Sequence, residues 1–246
     1  MTSPRERPGV PGPSESPQQI DRDYYDRSGY FEKGARHLLD ANSPFQRYRS
    51  REVLALCGDI AGLRAVDLGC GWGTISFALA ERAREVVGVD FAETSLRICR
   101  SRQDAARFPG LSFVHADAKA TGLPAASWDL VVAADLIEHL NPQDTIAVYA
   151  EALRLLRPRG RLVIWTPSPT HFLERLRRGG VLRADPTHID YKTLERVVGD
   201  LEDAGFDVVL SGWRPSHLPG LRVLERVAHR WVPFLRRRVT VVARAP

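Results

Sequence analysis

Cysteine is scarce in this chain, and long apolar runs are missing. Three cysteines, Cys57, Cys70 and Cys99, are too few and too scattered for a disulfide framework or a metal knuckle. No apolar run approaches the roughly 18 residues that span a bilayer. The first residues are basic and proline-rich, without the apolar stretch that a secretory signal contains. These absences predict a cytoplasmic protein without a transmembrane helix.

The charge of the chain is positive, but it is weak evidence for a nucleic-acid partner. The formal net charge is +5 and the isoelectric point is about 9.4. Arginine supplies most of the excess, notably in residues 175–178 and 236–238. Because GC-rich genomes also enrich arginine, charge alone does not establish an interaction surface for nucleic acid. We therefore expect no nucleic-acid partner.

Composition divides the 246 residues into three parts. Residues 1–19 contain five prolines among glycine, serine, glutamate and glutamine, and such a segment cannot bury enough apolar surface to offset its ordering entropy. A disordered tail is predicted there. Residues 20–63 are predicted to form a helical cap, whose second helix starts at Ser43-Pro44. Residues 64–246 are predicted to form one core domain of ordinary size.

Strands and helices alternate throughout this core. Seven strands are predicted at 65–68, 85–89, 111–115, 128–133, 161–165, 206–210 and 238–243. Helices are predicted at 74–84, 93–106, 142–156 and 190–204. Strands separated by helices of this size imply right-handed crossovers. The predicted fold class is α/β, with a doubly wound, Rossmann-like and mostly parallel seven-stranded sheet below an N-terminal helical cap.

A glycine-rich turn separates the first strand from the helix that follows it. The turn reads Asp67-Leu68-Gly69-Cys70-Gly71-Trp72-Gly73. Glycines let the backbone turn sharply and approach a ligand closely, and ligands of open α/β sheets bind outside the carboxyl ends of the strands. A dinucleotide site needs G-x-G-x-x-G, but position 74 is threonine. The sequence also contains no G-x-x-x-x-G-K-[ST] phosphate loop.

This turn resembles the first motif of the class I S-adenosylmethionine-dependent methyltransferase family, of the small-molecule type. That motif is an acidic residue followed by G-x-G-x-G, which Asp67, Gly69, Gly71 and Gly73 match. The resemblance runs from about residue 65 to residue 242, through the segments after the second, third and fourth strands and the one leading into the fifth. It implies S-adenosylmethionine as the cofactor.

The resemblance also implies which residues bind the cofactor. Asp90 corresponds to the carboxylate that holds the ribose hydroxyls, a task that suits two acceptor oxygens. Asp117 corresponds to the group that accepts from the adenine amine, and Asp135 lies in the loop bordering the transferred methyl group. Taken alone, Asp67 could cap the turn that follows it, and Asp90 could simply terminate a strand. The spacing of Asp67, Asp90 and Asp117 relative to the strand ends favours the cofactor role. The predicted set is Tyr25, Asp67, Gly69, Cys70, Gly71, Asp90, Phe91, Asp117, Ala118 and Asp135.

A sulfonium methyl group is already electrophilic, so the protein mainly has to orient the acceptor and exclude water. A base is needed only for an acceptor with a high pKa, such as a hydroxyl. His139 and His188 are the predicted catalytic residues, and His171 is a weaker candidate. The alternative for each is a structural histidine. No metal site is predicted, because residues 166–169 after the fifth strand offer no carboxylate to join Asp135.

The predicted function is methyl transfer to a small or medium-sized acceptor, with an oxygen nucleophile of a natural product or metabolic intermediate favoured. No Asn-Pro-Pro-Tyr-type motif for amino methylation follows the fourth strand. One alternative is a protein of this fold that binds the cofactor without methylating, such as a cyclase or a regulatory partner. Another is an enzyme acting on a lipid-linked acceptor at a membrane surface, based on the amphipathic, basic segment 221–238. We interpret that segment instead as a helix packed on the sheet, so membrane contact is not favoured. The sequence carries no signal for an oligomeric state.

Overall fold

The computed structural model describes residue 40, residues 42–183, residue 185 and residues 187–246. The predicted tail, residues 20–39 of the predicted cap, and Tyr25 lie outside the described residues. The three-part division of the chain therefore stays a prediction.

Seven strands form a single sheet in the order β3-β2-β1-β4-β5-β7-β6. The strands are β1 (Arg64–Leu68), β2 (Glu85–Asp90), β3 (Leu111–His115), β4 (Trp128–Ala134), β5 (Leu156–Pro167), β6 (Asp207–Arg214) and β7 (Arg238–Arg244). β7 runs antiparallel to both of its neighbours, and the other adjacent pairs are parallel. The predicted α/β class and mostly parallel sheet are confirmed.

Helices lie on both faces of this sheet. Those in the described residues are α1 (Pro44–Cys57), α2 (Thr74–Ala80), α3 (Glu93–Arg102), α4 (Pro142–Leu155), α5 (Phe172–Arg178), α6 (Leu194–Asp203) and α7 (Pro219–Ala228). Short 3-10 turns follow at Ile137–His139 and Pro233–Leu235. The last long helix before β6 starts later than predicted, because the Thr193 side chain accepts a hydrogen bond from the Arg196 amide and caps it there.

The central strands are covered on both faces, as their continuous apolar runs predict. On one face α1 and α2 pack Val53 and Leu79 against the sheet. On the other face Tyr149 of α4 and Leu201 of α6 do the same. The core therefore holds the strand ends rigidly, and the loops after β1, β2 and β4 share one edge of the sheet.

Helix α1 packs on one face of the sheet and reaches the carboxyl end of β4 through Arg49. Its first turn is fixed by Ser43, whose side chain accepts from the Gln46 amide, and by Pro44 at the first helical position. This start is the predicted one. The Arg49 guanidinium reaches from α1 to the Ala134 carbonyl at 2.9 Å, so the helix places a cation at the carboxyl end of β4.

The interpretation of segment 221–238 as a helix packed on the sheet is wrong for the apolar side chains of that segment, because several of them face solvent. The side chains of Val223, Val227 and Trp231 are 67%, 63% and 76% exposed. α7 buries Glu225 instead, because its carboxylate pairs with the buried ring of His171. Among the described residues, none of the helices has the length and apolar character needed to cross a bilayer.

Candidate active site

The glycine turn after β1 forms an open surface at the carboxyl edge of the sheet. Gly69 and Gly71 have φ angles of +66° and +52°, which strain any residue with a Cβ. A Cβ at Gly69 would also approach Leu136 to 2.7 Å, whereas one at Gly71 would meet no atom of the described residues within 4 Å. The space above Gly71 is therefore open to a ligand that approaches the backbone closely.

Asp90 ends β2 directly beside this turn. One carboxylate oxygen accepts from the Gly71 amide at 2.8 Å, and the other accepts from the Ala92 amide at 2.9 Å. Burial raises the pKa of Asp90, and these backbone hydrogen bonds oppose the rise. Each oxygen still has acceptor capacity beyond its one backbone partner. This geometry fits a vicinal diol held against the turn.

Asp67 lies beneath the turn rather than on its open side. It is buried, and it accepts a hydrogen bond of 2.6 Å from the Ser76 hydroxyl at the start of α2. Burial raises the pKa of Asp67 to about 6. This carboxylate is therefore positioned to support the turn from below.

Four other predicted cofactor residues lie around the turn, and they differ in how much of each is exposed to solvent. Cys70 is buried, and the neighbouring Cys99 thiol and burial raise its pKa well above the ordinary value. Asp117 is exposed after β3, where it accepts from the Lys119 amide. Phe91 is half-buried, and its carbonyl contacts the His115 ring at 2.9 Å. Ala118 is half-buried in the same turn as Asp117.

Asp135 follows β4 on the neighbouring side of the edge, in a left-handed conformation with φ of 56°. Its carboxylate lies between two guanidinium groups: Arg49 contacts it at 2.6 Å, and Arg238 contacts its other oxygen. Burial by itself would raise the pKa of Asp135, but these two cations outweigh it and hold the pKa well below its usual range. Asp135 is therefore a charged link between α1, β4 and β7.

Glu138 lies one turn further along, and it is fully buried. One carboxyl oxygen accepts from the Thr166 hydroxyl at 2.9 Å. The other oxygen has no hydrogen-bond partner among the described residues. Burial and the charge of Asp135 raise the pKa of Glu138 to about 8. A buried carboxyl group with an unused oxygen is costly unless it has a task.

The two predicted catalytic histidines contact each other beside Glu138. The rings of His139 and His188 lie 4.7 Å apart in an edge-to-face arrangement. Burial lowers the pKa of His139, and burial together with His139 lowers the pKa of His188 to about 4. Both rings are therefore neutral at neutral pH, and the structure brings together side chains that are 49 positions apart in the sequence.

Lys192 holds this part of the site in place. Its ammonium group is buried and donates to the carbonyl oxygens of Ile137, Leu140 and Asp190 at 2.6, 3.0 and 3.0 Å. The first two carbonyls belong to the turn that carries Glu138. One side chain thus ties the turn after β4 to the segment that carries His188.

His171 has a structural position. Its Nδ1 accepts from the Leu173 amide at the start of α5, and its Nε2 donates to Glu225 at 2.8 Å. The ring is fully buried. Both ring nitrogens of His171 bond to groups other than His139 and His188. His171 is therefore a structural histidine, as the alternative interpretation proposed.

Sequence reasoning missed Arg49, Arg238 and Lys192. Nothing in the sequence distinguishes Arg49 from the other arginines of the chain. Arg238 lies in a noted basic cluster, but only the antiparallel insertion of β7 beside β5 brings it to the edge. Glu138 is part of the segment that matches the family, yet its burial depends on packing that periodicity does not reveal.

Comparison with known proteins identifies the family. Residues 65–160 match the methyltransferase domain family. A demethylmenaquinone methyltransferase from Beutenbergia cavernae is 30% identical over 217 residues, covering 80% of this chain and 86% of that protein. The nocamycin O-methyltransferase of Saccharothrix syringae is 35% identical over 57% of this chain and 52% of its own length. The chain belongs to the class I S-adenosylmethionine-dependent methyltransferases.

Two further comparisons support less, one because it covers a smaller part of the relative and the other because its sequence identity is low. A probable S-adenosylmethionine-dependent methyltransferase from Mycolicibacterium smegmatis is 32% identical over 163 residues. This chain spans only 59% of that relative's length. The crystal structure of the [4+2]-cyclase SpnF superposes with a TM-score of 0.64 at 17% identity, covering 84% of this chain and 85% of that one. At that identity the likeness concerns the fold alone.

The residues at the edge fit the family's cofactor. An adenosyl group needs a backbone without side chains to lie against and a carboxylate for its ribose. Gly71, in the turn after β1, and Asp90, at the end of the neighbouring β2, provide both and are joined by a hydrogen bond.

Proposed function

We propose that this protein transfers a methyl group from S-adenosylmethionine to a small or medium-sized acceptor. The observation that carries the proposal is the hydrogen bond between the Gly71 amide and the Asp90 carboxylate, which shapes a cofactor site beside open space. We infer further cofactor contacts for Gly69, Cys70, Phe91, Asp117 and Ala118, as the family resemblance implies, and a role for Asp67 through the turn that it supports. When bound, the cofactor supplies an electrophilic sulfonium methyl group.

The acceptor side is proposed at the end of β4. The charged link through Asp135 fixes α1 and β7 around this edge, which orients an acceptor and keeps water out. His139 and His188 present neutral rings there, and a neutral ring nitrogen can assist the loss of a hydroxyl proton. We therefore favour an oxygen nucleophile, in keeping with the O-methyltransferase among the relatives.

Formation of S-adenosylhomocysteine tests this proposal. The chain is incubated with S-adenosylmethionine and a panel of phenols, catechols and hydroxy acids, and the product is quantified by mass spectrometry. We expect product with at least one acceptor class, and more than tenfold less with Asp90→Asn. If the cofactor binds but neither these acceptors nor a lipid quinone in vesicles gives product, the non-methylating alternative, such as a cyclase, replaces the proposal.

A second candidate is methyl transfer to a lipid-linked acceptor at a membrane surface, and the exposed side of α7 supports it. Val223, Val227 and Trp231 are exposed apolar side chains, and Arg226 and Arg230 beside them are exposed cations. An apolar stripe flanked by arginines suits an interface rich in anionic lipid. One relative is named for demethylmenaquinone, a quinone.

Co-sedimentation with vesicles containing phosphatidylglycerol tests this second candidate. We expect the wild type to pellet at low salt and the Val227→Ser/Trp231→Ser variant to stay in the supernatant. The matched control is Val209→Ser/Leu210→Ser, which removes two exposed apolar side chains from the edge strand β6. Equal pelleting of all three proteins, or of none, rejects membrane binding through α7. The predicted cytoplasmic location is compatible with either candidate.

A further inference from the structure

Three groups that commonly ligate metals converge at the acceptor side. One ligand atom each from Glu138, His139 and His188 lies within 4.8 Å of the others. Glu138 and His139 come from the 3-10 turn after β4, and His188 comes from the segment before α6. The convergence therefore depends on the fold and not on a local sequence motif.

The hydrogen bonds of the histidines fix where their protons are. Nδ1 of His139 contacts the Thr187 carbonyl at 3.0 Å, and since a carbonyl only accepts, Nδ1 carries the proton. Nδ1 of His188 contacts the Tyr191 hydroxyl at 2.9 Å, and that hydroxyl donates to Glu174. Nδ1 of His188 must therefore donate as well. With Nδ1 donating in each ring, Nε2 is the nitrogen that can present a lone pair to a metal.

This pattern is the one that metal-binding histidines usually show. Such a histidine donates its other ring N–H to a carbonyl or a further polar group, which holds the ring at a fixed angle. Thr187 and Tyr191 occupy that supporting position here. The Asp185 carboxylate lies 3.9 Å from Nε2 of His188.

Glu138 supplies an independent indication of a ligand. The side chain is fully buried, and one of its oxygens has no hydrogen-bond partner among the described residues. Leaving a buried carboxyl oxygen unsatisfied is unfavourable. A cation held between this oxygen and the two imidazoles would satisfy it.

We propose that Glu138, His139 and His188 bind one divalent transition-metal ion, of the Zn²⁺ or Co²⁺ type. Two imidazole nitrogens and one carboxylate oxygen favour these borderline ions over Mg²⁺ and Ca²⁺, which prefer oxygen alone. Three protein ligands leave a coordination position open, as in catalytic sites. This proposal replaces the expectation of no metal, which considered only carboxylates near Asp135.

The role of the ion rests on the proposed methyl transfer, although its binding does not. An acceptor hydroxyl that occupies the open position would lose its proton more easily, because a bound cation lowers the pKa of a coordinated oxygen. The hydroxyl proton would leave to solvent, and the resulting oxygen would attack the methyl carbon as the carbon–sulfur bond breaks. His139 and His188 would then act as ligands and not as the base.

Cobalt titration of the chelator-treated full chain tests the site directly. Co²⁺ in a site with nitrogen ligands absorbs visible light, and we expect saturation at one equivalent per chain. Glu138→Gln and His188→Ala should each weaken binding at least tenfold, and Tyr191→Phe should weaken it 10–100-fold by removing a supporting group. Controls are Glu195→Gln, exposed in the first turn of α6, and His229→Ala at the end of α7.

Calorimetry with S-adenosylhomocysteine shows that each variant is folded, since the cofactor half of the site is left unchanged. Cobalt affinity that falls in the ligand variants and holds in the controls supports the site, whether or not an acceptor is methylated. The site is overturned if cobalt does not saturate the wild type, or if the ligand variants bind cobalt as tightly as the wild type does. In that case the base role of the histidines would stand.

Discussion

Asp67 carries its carboxylate in the core, where the hydroxyl and the backbone amide of Ser76 are its hydrogen-bond partners among the described residues. Since Arg49 acts on it only at longer range, most of the cost of burying this charge is uncompensated in the unliganded protein. Part of that cost would be relieved by a positively charged cofactor above the turn. Binding and charge burial are thereby coupled at one residue.

Removing this charge should change how stability depends on pH. The folded pKa of about 6 lies above the ordinary value of 3.8, so the folded chain holds this proton more tightly than the unfolded chain. Ionisation therefore favours unfolding as the pH rises from about 4 through 6. Relative to wild type, Asp67→Asn should gain about 2–3 kcal/mol in unfolding free energy between pH 4 and pH 7.

Urea unfolding at four pH values measures that difference. Asp203→Asn, an exposed carboxylate near the end of α6, serves as the control and should give a flat difference. If the Asp67→Asn difference is also flat, Asp67 is not the group that titrates.

Asp90 should determine cofactor affinity. Asp90→Asn keeps the shape but removes the charge and half of the acceptor capacity. Hydrogen bonds to charged groups contribute about 1.5–3 kcal/mol each, so we expect affinity for S-adenosylhomocysteine to fall at least tenfold in calorimetry. Asp203→Ala should bind like wild type. Unchanged binding by Asp90→Asn would remove Asp90 from the cofactor site.

The sequence identifies the cofactor half of the site far better than the acceptor half. Gly69, Gly71 and Asp90 follow strand ends, and a strand end is a local property that periodicity reveals. The partners of Asp135 come from α1 and β7, 86 and 103 positions away. Such contacts depend on tertiary packing, which no local pattern specifies.

Among the elements, α1 is attached to the acceptor side mainly through Arg49. Its guanidinium contacts both Asp135 and the Ala134 carbonyl. Arg49→Met should lower the free energy of unfolding by about 1–3 kcal/mol, because it leaves a largely buried carboxylate with one cation fewer.

The matched control for this element is Arg47→Met on the exposed side of the same helix, which should cost less than about 0.5 kcal/mol. Both variants have similar helix propensity, so their difference isolates the tertiary contact. Equal stabilities in urea unfolding would mean that α1 is held by its apolar face alone.

Helix α5 shows why some elements escape sequence analysis. It has only seven residues, too few for apolar periodicity to appear. It starts at Phe172 because the His171 ring accepts from the Leu173 amide. A cap formed by a histidine is outside the usual set of serine, threonine, aspartate and asparagine, so the sequence gives no warning of it.

At the scale of the whole molecule, the alternation of strands and helices was sufficient to predict the class of fold. This alternation does not predict that β7 lies between β5 and β6, because the hydrophobic periodicity of a strand does not depend on which strands it pairs with or in which direction. The exposure of α7 also escaped prediction. An amphipathic pattern reports two faces, and only the fold shows which face meets solvent.

The N-terminal tail should be dispensable. Its composition offers little to pack, so deleting residues 1–19 should leave the melting temperature within about 2 °C and the affinity for S-adenosylhomocysteine within about twofold. Deletion through residue 30 should weaken that affinity, because Tyr25 is a predicted cofactor residue. Differential scanning fluorimetry and calorimetry on both truncations measure these effects. A lower melting temperature for the shorter truncation would show that the tail packs on the core.

The burial of Lys192 has a consequence for chemical labelling. An acylating reagent needs the neutral, accessible amine, and this amine donates to three carbonyl oxygens inside the protein. Lys119 also pairs with a carboxylate, but its side chain is 34% exposed, so it should react faster than Lys192. The rate of Lys192 acylation, followed by mass spectrometry, would then measure how often the segment bearing His188 separates from the turn bearing Glu138.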